Sequence, residues 1–172
     1  VVDRRHRRRP DAVAAAVASI NDTVGRAGAA DGLVFDVSEP DQVAQAFTQL
    51  DQRFGRIDIL VNNVGLRDRR GLFEFEVDDI RRMLDTNLVS PFLLCREAAR
   101  RMIAAGRGGR LVNITSIAGP IANPRDAAYT SAKGGLAAVQ GGELKSEVPQ
   151  GYFVDFTTLA ADYGWERRNA LS

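Results

Sequence analysis

The run Gly109-Arg110-Leu111-Val112-Asn113-Ile114-Thr115-Ser116, followed by Ala127-Ala128-Tyr129-Thr130-Ser131-Ala132-Lys133-Gly134-Gly135, decides the reading of the fold. The first piece is short and apolar with glycine before it and Thr-Ser after it, which predicts a buried strand over residues 109–114. The second opens a helix predicted to run from Ala127 to about Val148. Tyr129 and Lys133 are four apart and share one face of that helix. An ammonium beside a phenol favours the phenolate of a group that ordinarily titrates near ~10. That makes a general acid/base usable near neutral pH. Ser116 stands thirteen residues before the tyrosine, at a strand's carboxyl end, where open α/β sheets bind ligands. The chain has three Tyr and two Lys, so the pair does not follow from abundance. The plainer reading is a surface Tyr and Lys on an ordinary helix.

The rest of the chain repeats the alternation of strand and helix. Val1-Val2-Asp3 reads as the end of a strand. Pro10 to about Val24 is Ala-rich with proline in its first turn, and predicts a helix. Gly32 to Val37 is a short apolar strand, after which Ser38 is expected to cap a helix from about Pro40 to Phe54. Ile57 to Val61 is a buried-type strand ending in Asn62-Asn63-Val64-Gly65. A polar loop with Arg67, Arg69 and Arg70 leads to a long helix from about Asp78 to Ala105. Its expected buried stripe is Ile80, Leu84, Leu88, Phe92, Cys95, Ala99 and Met102, with a local bend at Pro91. Tyr152 to Phe156 reads as a last strand. Strands alternating with helices predict an α/β fold, a doubly wound parallel sheet covered on both faces, in a single domain over 1–172.

Composition narrows the function. The 172 residues suffice for one core, and the net charge of +1 points to neither nucleic acid nor an acidic membrane. Cys95 is the only cysteine and His6 the only histidine, so a disulfide framework, a Cys-based metal site and a His cluster are excluded. No apolar run approaches the ~18 residues of a membrane span, and no signal peptide is visible. A soluble cytoplasmic protein is the expectation.

With these elements in place the chain resembles the short-chain dehydrogenase/reductase family, from residue 1 to about 158. Asp36-Val37 matches the pair that contacts the adenine ring. Asn62-Asn63-Val64-Gly65 matches the Asn-Asn-Ala-Gly turn, which brings Asn63, Val64 and Gly65 to the cofactor. Asn87, in Asp-Thr-Asn-Leu, matches the asparagine of the catalytic tetrad, and Ser116, Tyr129 and Lys133 match the others. The resemblance implies a Rossmann-like fold and interconversion of a secondary alcohol and a ketone by hydride transfer, with NAD or NADP as cofactor. Tyr129 would exchange the proton with the substrate oxygen, and Ser116 would orient that oxygen. Lys133 would activate the tyrosine and hold the nicotinamide ribose. Asn87 would hold a water in a proton relay. The ordinary alternatives are a helix-interior Asn bonding backbone where the helix is disturbed, and a turn-forming serine. Homo-oligomers built by packing the long and catalytic helices are implied as well. Gly134, Gly135, Ala137 and Ala138 would permit close approach there, or would pack on the chain's own sheet.

Departures from the family pattern are as informative. The family's first strand and the Thr-Gly-x-x-x-Gly-x-Gly loop after it have no counterpart here, and Val1-Val2-Asp3 is expected to end the second strand. Neither the Pro-Gly after the sixth strand nor a seventh strand is found, and Ala161 to Ser172 matches nothing. The expectation is an incomplete copy of a chain of about 250 residues, or a short relative with a rebuilt sheet. Asp3 falls where a carboxylate accepts the ribose 2′-hydroxyl, which favours NAD. Arg4 and Arg5 could accept the 2′-phosphate of NADP. Asn-Asn-Val-Gly-Leu-Arg-Asp-Arg-Arg-Gly-Leu-Phe-Glu is similar to gluconate 5-dehydrogenase-type members. Arg67 and Arg69 are then candidates to clamp a substrate carboxylate, with surface pairing to Asp68, Glu74 or Glu76 as the alternative. Two competing functions are a 3-oxoacyl-carrier-protein reductase and a non-catalytic remnant that cannot bind cofactor.

Overall fold

The computed structural model of the chain describes residues 10–106, 108–121 and 124–139. Helix α1 (Pro10–Val24) opens on proline, whose missing N–H costs nothing at a first turn. Asn21 ties the turn after it back to the helix: the Ala30 N–H donates to Asn21 Oδ1 at 2.8 Å. Helix α2 (Pro40–Phe54) ends on Gly55, which takes φ 65 and donates its N–H to Asp51 O. Left-handed backbone at such a position is where glycine is preferred.

Strands β1 (Ile59–Asn62) and β2 (Arg110–Asn113) pair in parallel, Ile59 beside Arg110 through Asn62 beside Asn113. Parallel neighbours need a crossover, and here it is a long helical one. It comprises α3 (Val77–Leu84), a π-helical turn (Asp85–Val89) and α4 (Ser90–Ala104). After β2 the chain turns through Ser116 to Gly119 and enters α5 (Ala127–Val139). One core cluster joins Val37, Val43, Phe47, Leu94, Ala98 and Met102, with Phe35, Leu60 and Leu111 packed on it. Another joins Met83, Ala118, Ala128, Tyr129 and Ala132. Arg101 of α4 clamps Asp51 of α2 with two nitrogens and lies over the Phe47 ring at 4.6 Å.

Four expectations need correcting. Residues 32–36 have no regular secondary structure, Val37 enters a turn, and the segment joins no ladder among the described residues. In the doubly wound order the third strand's neighbour is the second, and the residues expected to end it, Val1-Val2-Asp3, lie outside the described residues. Ser38 does not cap α2; Glu39 is the capping residue, while the Ser38 N–H and hydroxyl both donate to Asp36 Oδ1, at 3.0 and 2.6 Å. The helix expected from Asp78 to Ala105 is interrupted at Asp85, not at Pro91. The π turn inserts an extra residue, but the buried stripe is already displaced before it, at Met83 rather than Leu84, and rejoins the expected one at Met102. Met83, Thr86, Asn87, Ser90, Pro91, Leu94, Ala98 and Met102 are buried, while Ile80 and Phe92 are exposed. Finally, the strands are four residues each, β1 shifted to end on Asn62, and β1 is not buried on both faces: Ile59 and Val61 are exposed, because no described element covers that side of the pair. The end of the helix expected from Ala127 to about Val148 and the strand expected at Tyr152 lie outside the described residues.

Gly134 and Gly135 pack inward. A Cβ on Gly134 would meet Gly119 O at 3.4 Å, and one on Gly135 would meet Leu88 Cδ2 at 3.0 Å. This is the packing on the chain's own elements that the sequence left open. Among the described residues no helix is long and apolar enough to cross a membrane.

Candidate active site

The carboxyl ends of β1 and β2 are joined by side chains as well as backbone. Asn62 Nδ2 donates to Asn113 Oδ1 at 2.7 Å, and both amides are buried. Cys95 lies against them, and burial pushes its thiol up from its ordinary value. The lone cysteine is thus part of the packing below the site and is not poised as a thiolate.

Beyond these strand ends the chain brings Ser116, Tyr129 and Lys133 to one side. Ser116 Oγ accepts the Ala118 N–H at 3.2 Å, and Ala118 packs in the cluster with Tyr129. Tyr129 and Lys133 are 5% and 4% exposed. Lys133 Nζ donates to Ile114 O at 2.9 Å, which holds the ammonium one residue past the end of β2. A buried ammonium needs such partners, and the tyrosine one turn away shares its helix face.

Asn87 is fully buried in the π turn and spends its amide on backbone. Its Oδ1 accepts the Leu66 N–H at 3.0 Å, and its Nδ2 donates to Leu66 O at 2.8 Å and Met83 O at 2.9 Å. Ser90 spans the same turn, its hydroxyl donating to Asp85 O at 2.6 Å. The disturbed helix therefore presents Asn87 to the loop after β1 and pins Leu66, the residue before Arg67.

Arg67 and Arg69 do not pair with Asp68, Glu74 or Glu76. Both turn to Asp126, whose side chain is fully buried. The Arg67 guanidinium lies 5.0 Å over the Tyr129 ring. Arg70 pairs with Asp68 and Asp79 and stacks on Phe75, which braces the loop from below. Asp126 was missed in the sequence because an Asp just before a helix reads as an ordinary cap.

The Arg67 hydrogen bond is the largest influence holding the Asp126 carboxyl below its usual range. A carboxyl lowered in the folded state contributes stability above its unfolded value and loses it as pH falls through the folded one. Acidification below about pH 4 is therefore expected to destabilise the parent more than Asp126→Asn. Urea unfolding of both proteins on either side of that pH measures the difference; equal acid losses would contradict it.

Of the residues expected at a cofactor, Val37, Asn63 and Val64 line one cavity of about 120 Å³, with Leu60, Thr86, Ser90 and Leu94 in its walls. Gly65 is buried behind them. The Asp36 side chain is turned to Ser38 beside this cavity. Asp3 lies outside the described residues.

A family model described as short chain dehydrogenase matches residues 5–148. The 2-dehydro-3-deoxy-D-gluconate 5-dehydrogenase of Formosa agariphila is 36% identical over 105 residues, 61% of this chain and 39% of that protein. The 3-oxoacyl-[acyl-carrier-protein] reductase of Synechocystis sp. is 34% identical over 122 residues, 71% of this chain and 49% of that protein. The crystal structure of a gluconate 5-dehydrogenase from Burkholderia cenocepacia J2315, in complex with NADP and tartrate, superposes with a TM-score of 0.71 at 33% identity. It covers 91% of this chain and 54% of that one. The chain thus spans about half or less of the length of these relatives.

Proposed function

As the chain belongs to the short chain dehydrogenase family, we propose that it interconverts a secondary alcohol and a ketone by NAD(P)-dependent hydride transfer, on a sugar acid such as gluconate. The observation that carries this reading is the burial of Tyr129 and Lys133 together at the sheet's carboxyl edge, with Arg67 over the tyrosine ring and Arg69 on the same Asp126. The residues present fit the adenine side of a dinucleotide. An apolar cavity with Asn63 and Val64 at one wall and Val37 at the other suits the flank of an adenine ring. Bound, the nicotinamide supplies the hydride chemistry. Asp36, Val37, Asn63, Val64 and Gly65 would hold its adenosine side, and Lys133 its nicotinamide ribose.

Tyr129 is the proton donor and acceptor at the substrate oxygen in this reading, and Ser116 orients that oxygen. Lys133 keeps positive charge beside the phenol, fixed by Ile114 O. Asn87 contributes by holding Leu66, and through it the arginine loop. Arg67 and Arg69 favour an anionic substrate, a class to which the tartrate of the Burkholderia structure belongs. Asp3 supports NAD as the cofactor, by accepting the ribose 2′-hydroxyl. Arg4, Arg5 and the NADP of that same neighbour support the alternative. The exposed Ile80, Val89 and Phe92 on the crossover support a homo-oligomer.

A 3-oxoacyl-carrier-protein reductase is the second reading, supported by the Synechocystis relative. Titration with NADH and with NADPH, followed by cofactor fluorescence, tests the common premise. Saturable binding with NADH preferred is expected, and Asp3→Ala should narrow the preference. Absence of binding to a folded protein would make it a non-catalytic relative. Turnover of gluconate against an acyl thioester then separates the two enzymes.

A further inference from the structure

Asp126 stands immediately before α5, where an Asp side chain ordinarily accepts N–H groups of its own helix. Its backbone carbonyl does accept the Thr130 N–H at 2.8 Å. Its carboxylate is taken elsewhere. Arg67 engages both oxygens, Nε–H donating to Oδ1 at 3.2 Å and Nη2–H to Oδ2. Arg69 Nε reaches only Oδ1, at 3.5 Å. The carboxylate is 0% exposed, the Arg67 side chain 31% and the Arg69 side chain 63%.

The two arginines are therefore not equivalent. A planar fork that is matched bidentately to a buried carboxylate is fixed in place. Arg67 is so fixed, with its face over the Tyr129 ring. Arg69 has one long contact and most of its side chain in solvent. Two guanidinium groups share a single carboxylate, so one positive charge within the cluster is left uncompensated. Lys133 lies on the same helix, and α3 presents the uncharged Met83 and Leu84 to the tyrosine cluster.

We propose that Asp126 is a positioning residue, which locks Arg67 against Tyr129 and leaves Arg69 to meet the negative charge of the substrate. This rests on the reading of the protein as a hydroxy-acid dehydrogenase. The carboxylate acts through Arg67 and touches no reacting atom. Its removal frees the guanidinium from the ring, and the tyrosine loses the cover on that face.

The test combines kinetics on gluconate and on sorbitol, a neutral polyol, with NMR of the arginine Nε–H groups. In the parent, the Arg67 Nε–H is expected to exchange slowly with water, and the Arg69 signal to shift when gluconate is added. Asp126→Asn should abolish the slow Arg67 signal and lower kcat about tenfold or more on either substrate, as expected when a fixed geometry is lost. Asp126→Glu, which keeps the charge, should recover part of both. Arg69→Gln should raise KM for gluconate about tenfold, and at least several times more than KM for sorbitol. Arg67→Lys, which keeps the charge and loses the fork, should lower kcat more than it raises KM.

Parent values of kcat and of the Arg67 signal in Asp126→Asn would overturn the positioning role. An unchanged KM for gluconate in Arg69→Gln would overturn the division between the arginines. A protein that oxidises sorbitol but not gluconate would refute the hydroxy-acid reading, and the Arg67 signal in Asp126→Asn would still decide the part played by Asp126.

Discussion

Tyr129→Phe is expected to lower kcat by about 10²- to 10⁴-fold, the range that positioned proton transfer contributes, while leaving the fold intact. The ring is packed among Met83, Ala118, Ala128 and Ala132, and phenylalanine keeps every one of those contacts. It keeps the face on which the Arg67 guanidinium rests as well. Only the hydroxyl is lost, so the thermal midpoint and cofactor affinity should stay close to the parent's. The loss should fall on kcat and on kcat/KM alike, because the group acts in the transition state rather than in binding. Steady-state kinetics, a melting curve and a cofactor titration on the same preparation make the measurement. Activity within a few fold of the parent would remove Tyr129 from the proton transfer and leave the Tyr129–Lys133 pair a packing feature.

Much of this architecture was legible because its signals are local. Proline at the start of α1 and α2, glycine after α2, and short apolar runs at β1 and β2 are each set by a few neighbouring residues, and each element appears where it was read. The Tyr129–Lys133 face was legible for the same reason, four residues being one helical turn. The π turn was not. An interrupted helix has no signature in apolar spacing, and the stripe read from the sequence is one position off from Leu84 to Ala99, on both sides of the turn. Leu88 and Phe92 looked buried on that count, whereas Ser90, Pro91 and Leu94 are. The arginine loop was legible only in part: Arg70 does pair with its near neighbour Asp68, but Arg67 and Arg69 pair elsewhere. Asp68, Glu74 and Glu76 are near Arg67 and Arg69 in sequence, but Asp126 is 59 residues from Arg67 and reaches it only once α5 docks. Pairings of that kind are consequences of the fold and are absent from any window of the chain.

Asn87 is where sequence and structure give opposite emphasis, and its replacement separates them. The amide satisfies both backbone groups of Leu66 and the Met83 carbonyl, and it is fully buried. Asn87→Ala leaves those groups without a partner, at about 1–3 kcal/mol for each buried group that stays unsatisfied. A loss of about 3 kcal/mol or more in unfolding free energy follows, together with slackening of the loop that begins at Leu66 and carries Arg67. Asn87→Asp is the sharper variant. Its carboxylate can still accept the Leu66 N–H but faces two carbonyl oxygens with no proton to offer. Those neighbours favour its protonated form, so its folded pKa is raised. Its deficit is then largest near neutral pH and shrinks as pH falls, when the carboxyl regains a donor. Denaturant unfolding of the parent and both variants across that range reads the pattern. If the side chain instead served chiefly to hold a relay water, Asn87→Ala would lower kcat with stability intact, and Asn87→Asp would show no relief on acidification. The three saturated backbone contacts argue for the first pattern, in which Asn87 serves catalysis by fixing the loop that meets Tyr129.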